Sequence, residues 1–125
     1  MASLPAVFPD SSSDRKLRNL ARKLLRLRNA RQRHFPIDAT GVAWDLMLAL
    51  FEADGEQDPI SVGELVERSK VARTTTVRWL RQLEHHGLVA LSPDRHDKRL
   101  VRVAITGPGC EVMETLVAQA GISAA

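Results

Sequence analysis

The change of sequence period at Gly87 constrains the fold more than any other feature. Residues 73–86, "RTTTVRWLRQLEHH", repeat apolar side chains at helical spacing. After Gly87 the pattern becomes alternating in two segments, "LVALS" (88–92) and "LVRVAIT" (100–106). The charged sequence "PDRHDKR" joins the two segments. Gly87 suits the left-handed cap that commonly ends a helix. The pattern therefore predicts a helix up to Gly87, followed by a β-hairpin with a charged tip.

Three more helices are predicted before this segment and one after it. The first is basic and amphipathic, the second is apolar nearly all round and therefore central, and the third begins with the capping-box sequence "SVGE". The predicted bounds are 13–35, 38–53, 61–69 and, after the strand-breaking "TGPG", 109–121. Residues 1–12, which contain prolines and a serine run, are expected to form a disordered leader. Residues 13–125 suit a single domain.

The composition disfavours membrane, secreted and disulfide-rich proteins. No apolar run approaches the roughly 20 residues that a membrane span needs. The N-terminal sequence lacks the basic and apolar regions of a secretory signal. Cys110 is the only cysteine, so neither a disulfide framework nor a thiolate metal cluster is predicted. The chain is therefore expected to be cytoplasmic and to have no membrane partner.

Catalytic and metal sites are not predicted either. The sequence has no nucleophile elbow and no glycine-rich phosphate loop. The rings of His85 and His86 point in different directions because the two residues are adjacent, so they cannot chelate as an i, i+4 pair would. No catalytic residue and no cofactor is therefore expected. Cys110 lies near a helix start, where its pKa could be lowered in a redox sensor, although a packed small residue is the favoured interpretation.

Charge is segregated along the chain, although the formal net charge is only +3. Residues 15–33 contain nine basic residues and no acidic residue, whereas 38–67 contain eight acidic residues and no basic residue. Residues 68–106 again contain nine basic residues, against three acidic ones. Such segregation favours oriented surfaces, and the basic surfaces could face nucleic acid or simply be solvated.

The order of short helix, tight turn, second helix and charged hairpin is typical of a winged helix-turn-helix. The predicted fold is thus mainly α with a small β-hairpin, an added N-terminal helix and a short C-terminal helix, with the helix-turn-helix and wing within 38–106. The second helix of such a motif enters the DNA major groove. At roughly 100° per residue, its apolar half contains Thr76, Val77, Trp79, Leu80 and Leu83. The opposite half is wholly polar and has no acidic residue: Thr74, Thr75, Arg78, Arg81, Gln82 and His85.

These polar side chains suit the recognition of DNA. Arginine can bond bidentately to guanine and glutamine to adenine, while threonine offers a hydroxyl to phosphate or a methyl to thymine. The basic residues of the hairpin tip could reach a neighbouring minor groove or its phosphates, with Asp94 and Asp97 orienting them; alternatively, the tip only keeps the hairpin soluble. The residues predicted to contact double-stranded DNA are Arg73, Thr74, Thr75, Arg78, Arg81, Gln82, His85, Arg95, Lys98 and Arg99.

Residues 28–109 resemble the winged-helix core of MarR-type transcriptional regulators. The ending "DRHDKRLVRVAITGPG" is similar to the wing signature of that family, and "AWDLMLALF" and "TTTVRWLRQLE" resemble a small bacterial subgroup. The resemblance implies a homodimer on a palindromic operator and a minor-groove contact by Arg99 with help from Asp97. The C-terminal helix is shorter than in typical members of the family, whose longer terminal helices frame a pocket for a small-molecule effector. The resemblance therefore does not extend to such a pocket, and no effector is identified.

The first helix supports two hypotheses. Its leucine stripe is expected to form a homodimer interface together with the last helix, although packing within one chain is the alternative. The proposed dimerisation residues are Leu17, Leu20, Leu24, Leu27, Met113, Leu116 and Val117. In the rival hypothesis, the chain is a protein-interaction module, and the basic surface of this helix binds an acidic protein partner.

Overall fold

The computed structural model describes residues 11–35, 37, 41–54 and 58–119, and within them the chain forms five helices and three short strands. The helices are α1 (Ser11–His34), α2 (Val42–Asp54), α3 (Val62–Ser69), α4 (Arg73–His85) and α5 (Gly107–Gln119). The strands are β1 (Ile60–Ser61), β2 (Val89–Pro93) and β3 (Val101–Ile105). This is the winged helix-turn-helix that the sequence predicts: α3, a tight turn and α4, followed by a β-hairpin.

The hairpin belongs to a three-stranded antiparallel sheet with the order β1-β3-β2. Strands β2 and β3 pair from Val89 opposite Ile105 to Pro93 opposite Val101. The third strand was not predicted, because two residues are too few to show an alternating pattern. In β1, Ile60 pairs with Val103, and both side chains are buried. The start of α3 is therefore fixed directly to the base of the wing.

Two helices begin earlier than predicted. Helix α1 begins at Ser11, so the last two residues of the predicted leader are helical, while residues 1–10 lie outside the described residues. Helix α5 begins at Gly107 rather than residue 109. The sequence "TGPG" is a helix start because proline is tolerated in the first turn. The Thr106 hydroxyl oxygen caps this turn by accepting a hydrogen bond of 3.0 Å from the Gly109 backbone N–H.

Helix α2 is the central buried helix, as its nearly all-apolar surface predicts. Trp44, Leu46, Met47 and Leu50 are buried on different sides of it, and it packs against α3, α4, α5 and β3. The helix begins at Val42, later than the predicted start at residue 38, and residues 38–40 lie outside the described residues. The core that surrounds α2 holds the winged helix and α5 together in one unit.

The structure corrects the prediction that Met113 and Leu116 form part of a dimer interface. Both side chains are fully buried in the core of their own chain. Val117 and Leu27 are half-buried and pack against the same core. The last helix uses its apolar face to cover α2 and α1, so that face is not available to a second copy.

Candidate nucleic-acid interface

The turn between α3 and α4 sets the position of the second helix. Ser61 caps α3 as the sequence predicts, because its hydroxyl oxygen accepts a hydrogen bond of 3.1 Å from the Glu64 N–H. At the other end, Lys70 takes a left-handed conformation with φ of 60°, and its N–H donates to the Val66 carbonyl at 2.9 Å. The chain reverses there without a glycine, and α4 begins three residues later.

The three consecutive threonines occupy three different environments at the start of α4. Thr74 is exposed, Thr75 is half-buried and Thr76 is fully buried. The buried Thr76 hydroxyl donates to the Ala72 carbonyl at 3.0 Å and lies 3.3 Å from the Val71 carbonyl. These contacts satisfy a polar group that would be costly to bury alone. Thr76 thus ties α4 to the preceding turn and leaves Thr74 facing solvent.

The outer face of α4 is polar and basic. Thr75, at its edge, is half-buried, and the other predicted contact residues on this helix are exposed: Arg73, Thr74, Arg78, Arg81, Gln82 and His85. Within the described residues, neither Arg78 nor Arg81 forms an ion pair. The guanidinium groups of this face are therefore available to an external anion or hydrogen-bond acceptor.

Val77 belongs to this outer face, although the sequence projection placed it in the core half of the helix. Its side chain is 37% exposed, whereas Thr76, Leu80 and Leu83 are buried. The buried arc of α4 is centred on these three residues, and Val77 lies beyond its edge. The projection missed this because Val77 lies at the margin of the predicted apolar half, about 100° from Thr76. An exposed aliphatic side chain among arginines and threonine can contact a thymine methyl group.

Asp94 organises the tip of the wing. Its carboxylate accepts hydrogen bonds of 3.0 Å from the His96 and Asp97 N–H groups. It also accepts a bond of 2.8 Å from the Arg102 Nε. The Arg102 guanidinium, followed by the two backbone N–H groups, lowers the pKa of Asp94. The carboxylate thus folds the tip and joins it to β3.

Arg99 is held in place by Asp97. The carboxylate of Asp97 accepts from the Arg99 Nε at 3.0 Å and from its Nη2 at 3.1 Å, in a bidentate pair. The Arg99 N–H also donates to Asp97, at 3.0 Å. The side-chain bond to Arg99, and then the backbone bond, lower the pKa of Asp97. The Arg99 side chain remains 89% exposed, so a fixed guanidinium projects from the tip, where Arg95 and Lys98 are also exposed.

Arg102 is a positioning residue that the sequence did not reveal. Besides its bond to Asp94, its Nη1 donates to the Pro59 carbonyl at 3.3 Å. Arg102 thereby connects the wing tip to the residues that precede β1. In the sequence it has the character of an ordinary outward-facing strand residue. Only the register of the sheet, in which Arg102 lies opposite Ser92, brings it next to Asp94.

Comparison with known proteins agrees with this geometry. Residues 55–101, which contain α3, α4 and most of the wing, match the MarR family model. The part of the chain that contains the helix-turn-helix is thus similar to the MarR family. No curated protein sequence matches the chain.

Solved structures of similar fold cover most of the chain. The MepR–DNA complex of S. aureus has a TM-score of 0.67 and 18% identity, and the match covers 84% of this chain and 82% of MepR. The transcriptional regulator Tm0710 of Thermotoga maritima has a TM-score of 0.67 and 26% identity, over 90% of this chain and 75% of Tm0710. BpsR of Bordetella bronchiseptica, whose DNA binding is regulated by 6-hydroxynicotinic acid, has a TM-score of 0.59 and 23% identity, over 89% and 80%.

The leucines in the N-terminal part of α1 lie outside the hydrophobic core of the chain. Leu17, Leu20 and Leu24 are exposed, with Leu17 at 61%. Leu25, which lies off the stripe, is exposed as well. Only Leu27, near the C-terminal end of the stripe, reaches the core of its own chain. Within the part of the chain that the structure describes, most of the predicted stripe is therefore exposed.

Cys110 does not have the environment of a reactive thiolate. Its Sγ lies 3.5 Å from an Asp54 Oδ2, in a hydrogen bond between α5 and α2. Burial, and then the negative charge of Asp54, raise the pKa of the thiol. This reverses the expectation that the start of α5 could lower that pKa, because burial and the nearby carboxylate both disfavour the thiolate. Cys110 is a half-buried packing residue between α5 and α2.

Two further features are relevant to function. Among the described residues, His, Cys, Asp and Glu side chains form no group of three or more that could hold a metal ion. In the same part of the chain, every helix is either too short or too polar to cross a membrane.

Proposed function

We propose that this chain is a sequence-specific transcriptional regulator that binds double-stranded DNA as a homodimer in the cytoplasm. The observation that carries the proposal is the outer face of α4, where Arg78 and Arg81 are exposed and free of ion pairs within the described residues. In a winged helix-turn-helix this face enters the major groove. The complex of MepR with DNA supports DNA, rather than an acidic protein, as the ligand.

The residues on the outer face of α4 have two proposed roles: some read bases, and others hold the helix in position on the DNA backbone. Arg78, Arg81 and Gln82 have the donors and acceptors that suit base edges. Thr74, at the start of the helix, suits a phosphate, because free backbone N–H groups lie beside its hydroxyl. Val77 adds an apolar contact that suits a thymine methyl group.

The wing is proposed to contact the adjacent minor groove through Arg99. A narrow minor groove has an enhanced negative potential that attracts arginine. The bidentate pair with Asp97 orders the Arg99 side chain before binding, so less conformational entropy is lost when it enters the groove. Arg95 and Lys98, which are exposed beside it, are proposed to contact the flanking phosphates.

The homodimer is proposed to form through the uncovered leucines of α1. Leu17, Leu20 and Leu24 recur at helical spacing and are exposed in a single chain. A second copy that packs on them would remove this apolar surface from water. A two-fold symmetric dimer presents two α4 helices, and its operator is then palindromic, with half-sites about one helical turn apart.

In vitro selection from a library of randomised duplexes tests this proposal. The expected result is a palindromic consensus, bound by two protomers. Arg78→Ala should weaken binding to the consensus by about 1–3 kcal/mol and relax specificity at one base pair. Lys70→Ala is the control, because Lys70 is an exposed cation at the α3–α4 turn and outside the proposed face. Recovery of no consensus, or equal losses for the two variants, would contradict the proposal.

A further inference from the structure

Helix α1 has a second charged surface that the proposed function does not use. At roughly 100° per residue, five arginines fall within an arc of about 80°. They are Arg15, Arg18, Arg22, Arg26 and Arg33, and all five are exposed. We call this surface the arginine ridge. Asn29, which is also exposed, lies within the same arc, so the ridge contains only arginine and a neutral hydrogen-bonding residue.

The ridge lies opposite the exposed leucines of the same helix. The arc that contains Leu17, Leu20 and Leu24 is centred about 180° from the centre of the ridge, by the same projection. A second copy packed on the leucines would leave the ridge in solvent. The C-terminal part of α1 packs against α5, and this contact also leaves the five arginines exposed. The ridge therefore remains accessible in the single chain and in the proposed dimer.

The arginines of the ridge repel one another. Arg18, Arg22 and Arg26 are spaced by four residues, so neighbouring side chains meet on the helix surface, and like charges at this spacing destabilise a helix. Within the described residues, Asp14 is the acidic partner of the ridge: its Oδ2 lies 2.8 Å from the Arg18 Nε. A solvated helix surface normally mixes both signs of charge, whereas an external polyanion would relieve this repulsion.

The composition of the ridge favours phosphate as the anion. The lysines of α1, Lys16 and Lys23, project to one side of it, and every charged residue of the ridge itself is arginine. The planar guanidinium group bonds bidentately to phosphate and is more weakly hydrated than an ammonium group. The ridge extends over residues 15–33, which is roughly 27 Å of helix at 1.5 Å per residue. This length is sufficient to follow several phosphates of one DNA backbone.

We infer that the arginine ridge is a second, sequence-independent binding surface for the phosphate backbone of double-stranded DNA. It is separate from α4, because α1 packs mainly against α5, whereas α4 packs against α2, α3 and β2. A dimer with two such ridges would hold a second DNA segment beside the one that α4 reads. The local concentration of DNA near the protein would then be raised without any added sequence specificity.

The inference is tested on the full chain carrying Arg78→Ala and Arg81→Ala, which weakens the proposed reading face. Binding to a random 30-base-pair duplex is measured by fluorescence anisotropy between about 50 and 200 mM NaCl. The plot of log K against log salt concentration has a negative slope, to which each phosphate contact contributes about 0.9. Adding R15Q, R22Q and R26Q should make this slope shallower by about 2.7. Over this range the chain with its ridge intact should lose roughly 40-fold more affinity than the ridge variant.

The matched control removes the same charge from the sides of α1. K16Q, K23Q and R28Q, in the same background, should change the slope by less than about 1, because these side chains lie off the ridge. Circular dichroism should show equal helix content in both triple variants. Equal changes of slope in the two variants, or no change in either, would overturn the inference. Tighter binding to phosphatidylserine vesicles than to duplex would also overturn it.

This test is independent of the proposed function. If the Arg78→Ala, Arg81→Ala chain still bound the selected consensus as the wild-type chain does, the proposed reading face would be wrong. The effect of the ridge on random duplex would be unchanged by that result. Conversely, if the chain binds its consensus but the ridge substitutions do not change its binding to random duplex, the proposed function stands and the inference about the arginine ridge is wrong.

Discussion

Replacing Gly109 with alanine should destabilise the fold strongly, although alanine is the better helix former. A Cβ at this position in α5 would lie inside van der Waals distance of the Leu88 carbonyl oxygen. It would also lie 2.8 Å from the Ile105 Cγ1 and 3.1 Å from the Leu88 carbonyl carbon. The neighbours cannot move away easily, because the Leu88 carbonyl accepts a hydrogen bond of 3.1 Å from the Thr106 N–H.

The size of the effect follows from two opposing contributions. Overpacking against a rigid backbone costs about 1–3 kcal/mol and occasionally more; because the atoms involved are main-chain atoms, we take the upper value. Alanine recovers about 0.5–1 kcal/mol of helix propensity relative to glycine. The free energy of unfolding should therefore fall by about 2 kcal/mol, which corresponds to a decrease in Tm of roughly 6–10 °C for a domain of this size.

Gly107→Ala is the matched control, two residues away in the same helix. A Cβ at Gly107 meets no atom within 4 Å, so this variant should be neutral or stabilised by about 0.5 kcal/mol. Thermal unfolding followed by circular dichroism compares the two variants with the wild-type chain. Equal stability of the two variants would show that the close approach of α5 to Leu88 is not a constraint, and would refute the reasoning.

Three further outcomes are expected. Thr76→Val should lower the free energy of unfolding, measured by urea denaturation, by about 1 kcal/mol, because the buried hydroxyl contact is lost. Thr74→Val, at an exposed position, should change the free energy of unfolding little. Equal effects of the two substitutions would contradict this account. On the selected consensus, replacing one thymine by uracil should weaken wild-type binding about fourfold, because one methyl contact of about 0.8 kcal/mol is lost. The same replacement should not change the affinity of the Val77→Ala variant. If the wild-type chain were insensitive to replacement at every thymine, the proposed contact between Val77 and a thymine methyl group would be wrong. The pKa of Asp94 is lowered in the fold from its ordinary value of 3.8, so its wing contacts should persist as the pH falls to 3.8 and be lost only as the pH falls through the lower, folded-state pKa. An NMR titration of the His96 amide that gave a midpoint above 3.8 would contradict this.

The sequence predicted the parts of the molecule whose structure depends on local pattern. The helix-turn-helix, the cap at Ser61 and the left-handed Gly87, with φ of 74°, follow from periodicity and from the conformational preferences of single residues. The polar half of α4 was predicted for the same reason, since a helix in contact with a core on one side leaves the opposite side exposed.

The parts that it did not predict depend on contacts between distant segments. Strand β1 exists because β3 offers it hydrogen-bonding partners, and Arg102 reaches Asp94 through the register of the sheet. Met113 and Leu116 were assigned to a dimer interface because an apolar helix face does not show which surface covers it. The raised pKa of Cys110 comes from burial and then from Asp54, 56 residues away in the chain, and no local pattern shows either.

The central claim, that the outer face of α4 reads base edges in the major groove, is tested most directly by removing single acceptors from the DNA. A 7-deazapurine lacks the N7 atom that arginine and glutamine contact in the major groove. Dissociation constants are measured for the selected consensus with one such substitution at a time. At least one substitution should weaken wild-type binding about fivefold or more, equivalent to about 1 kcal/mol. That sensitivity should disappear in Arg78→Ala or Arg81→Ala. Unchanged wild-type affinity at every substituted purine would contradict the claim.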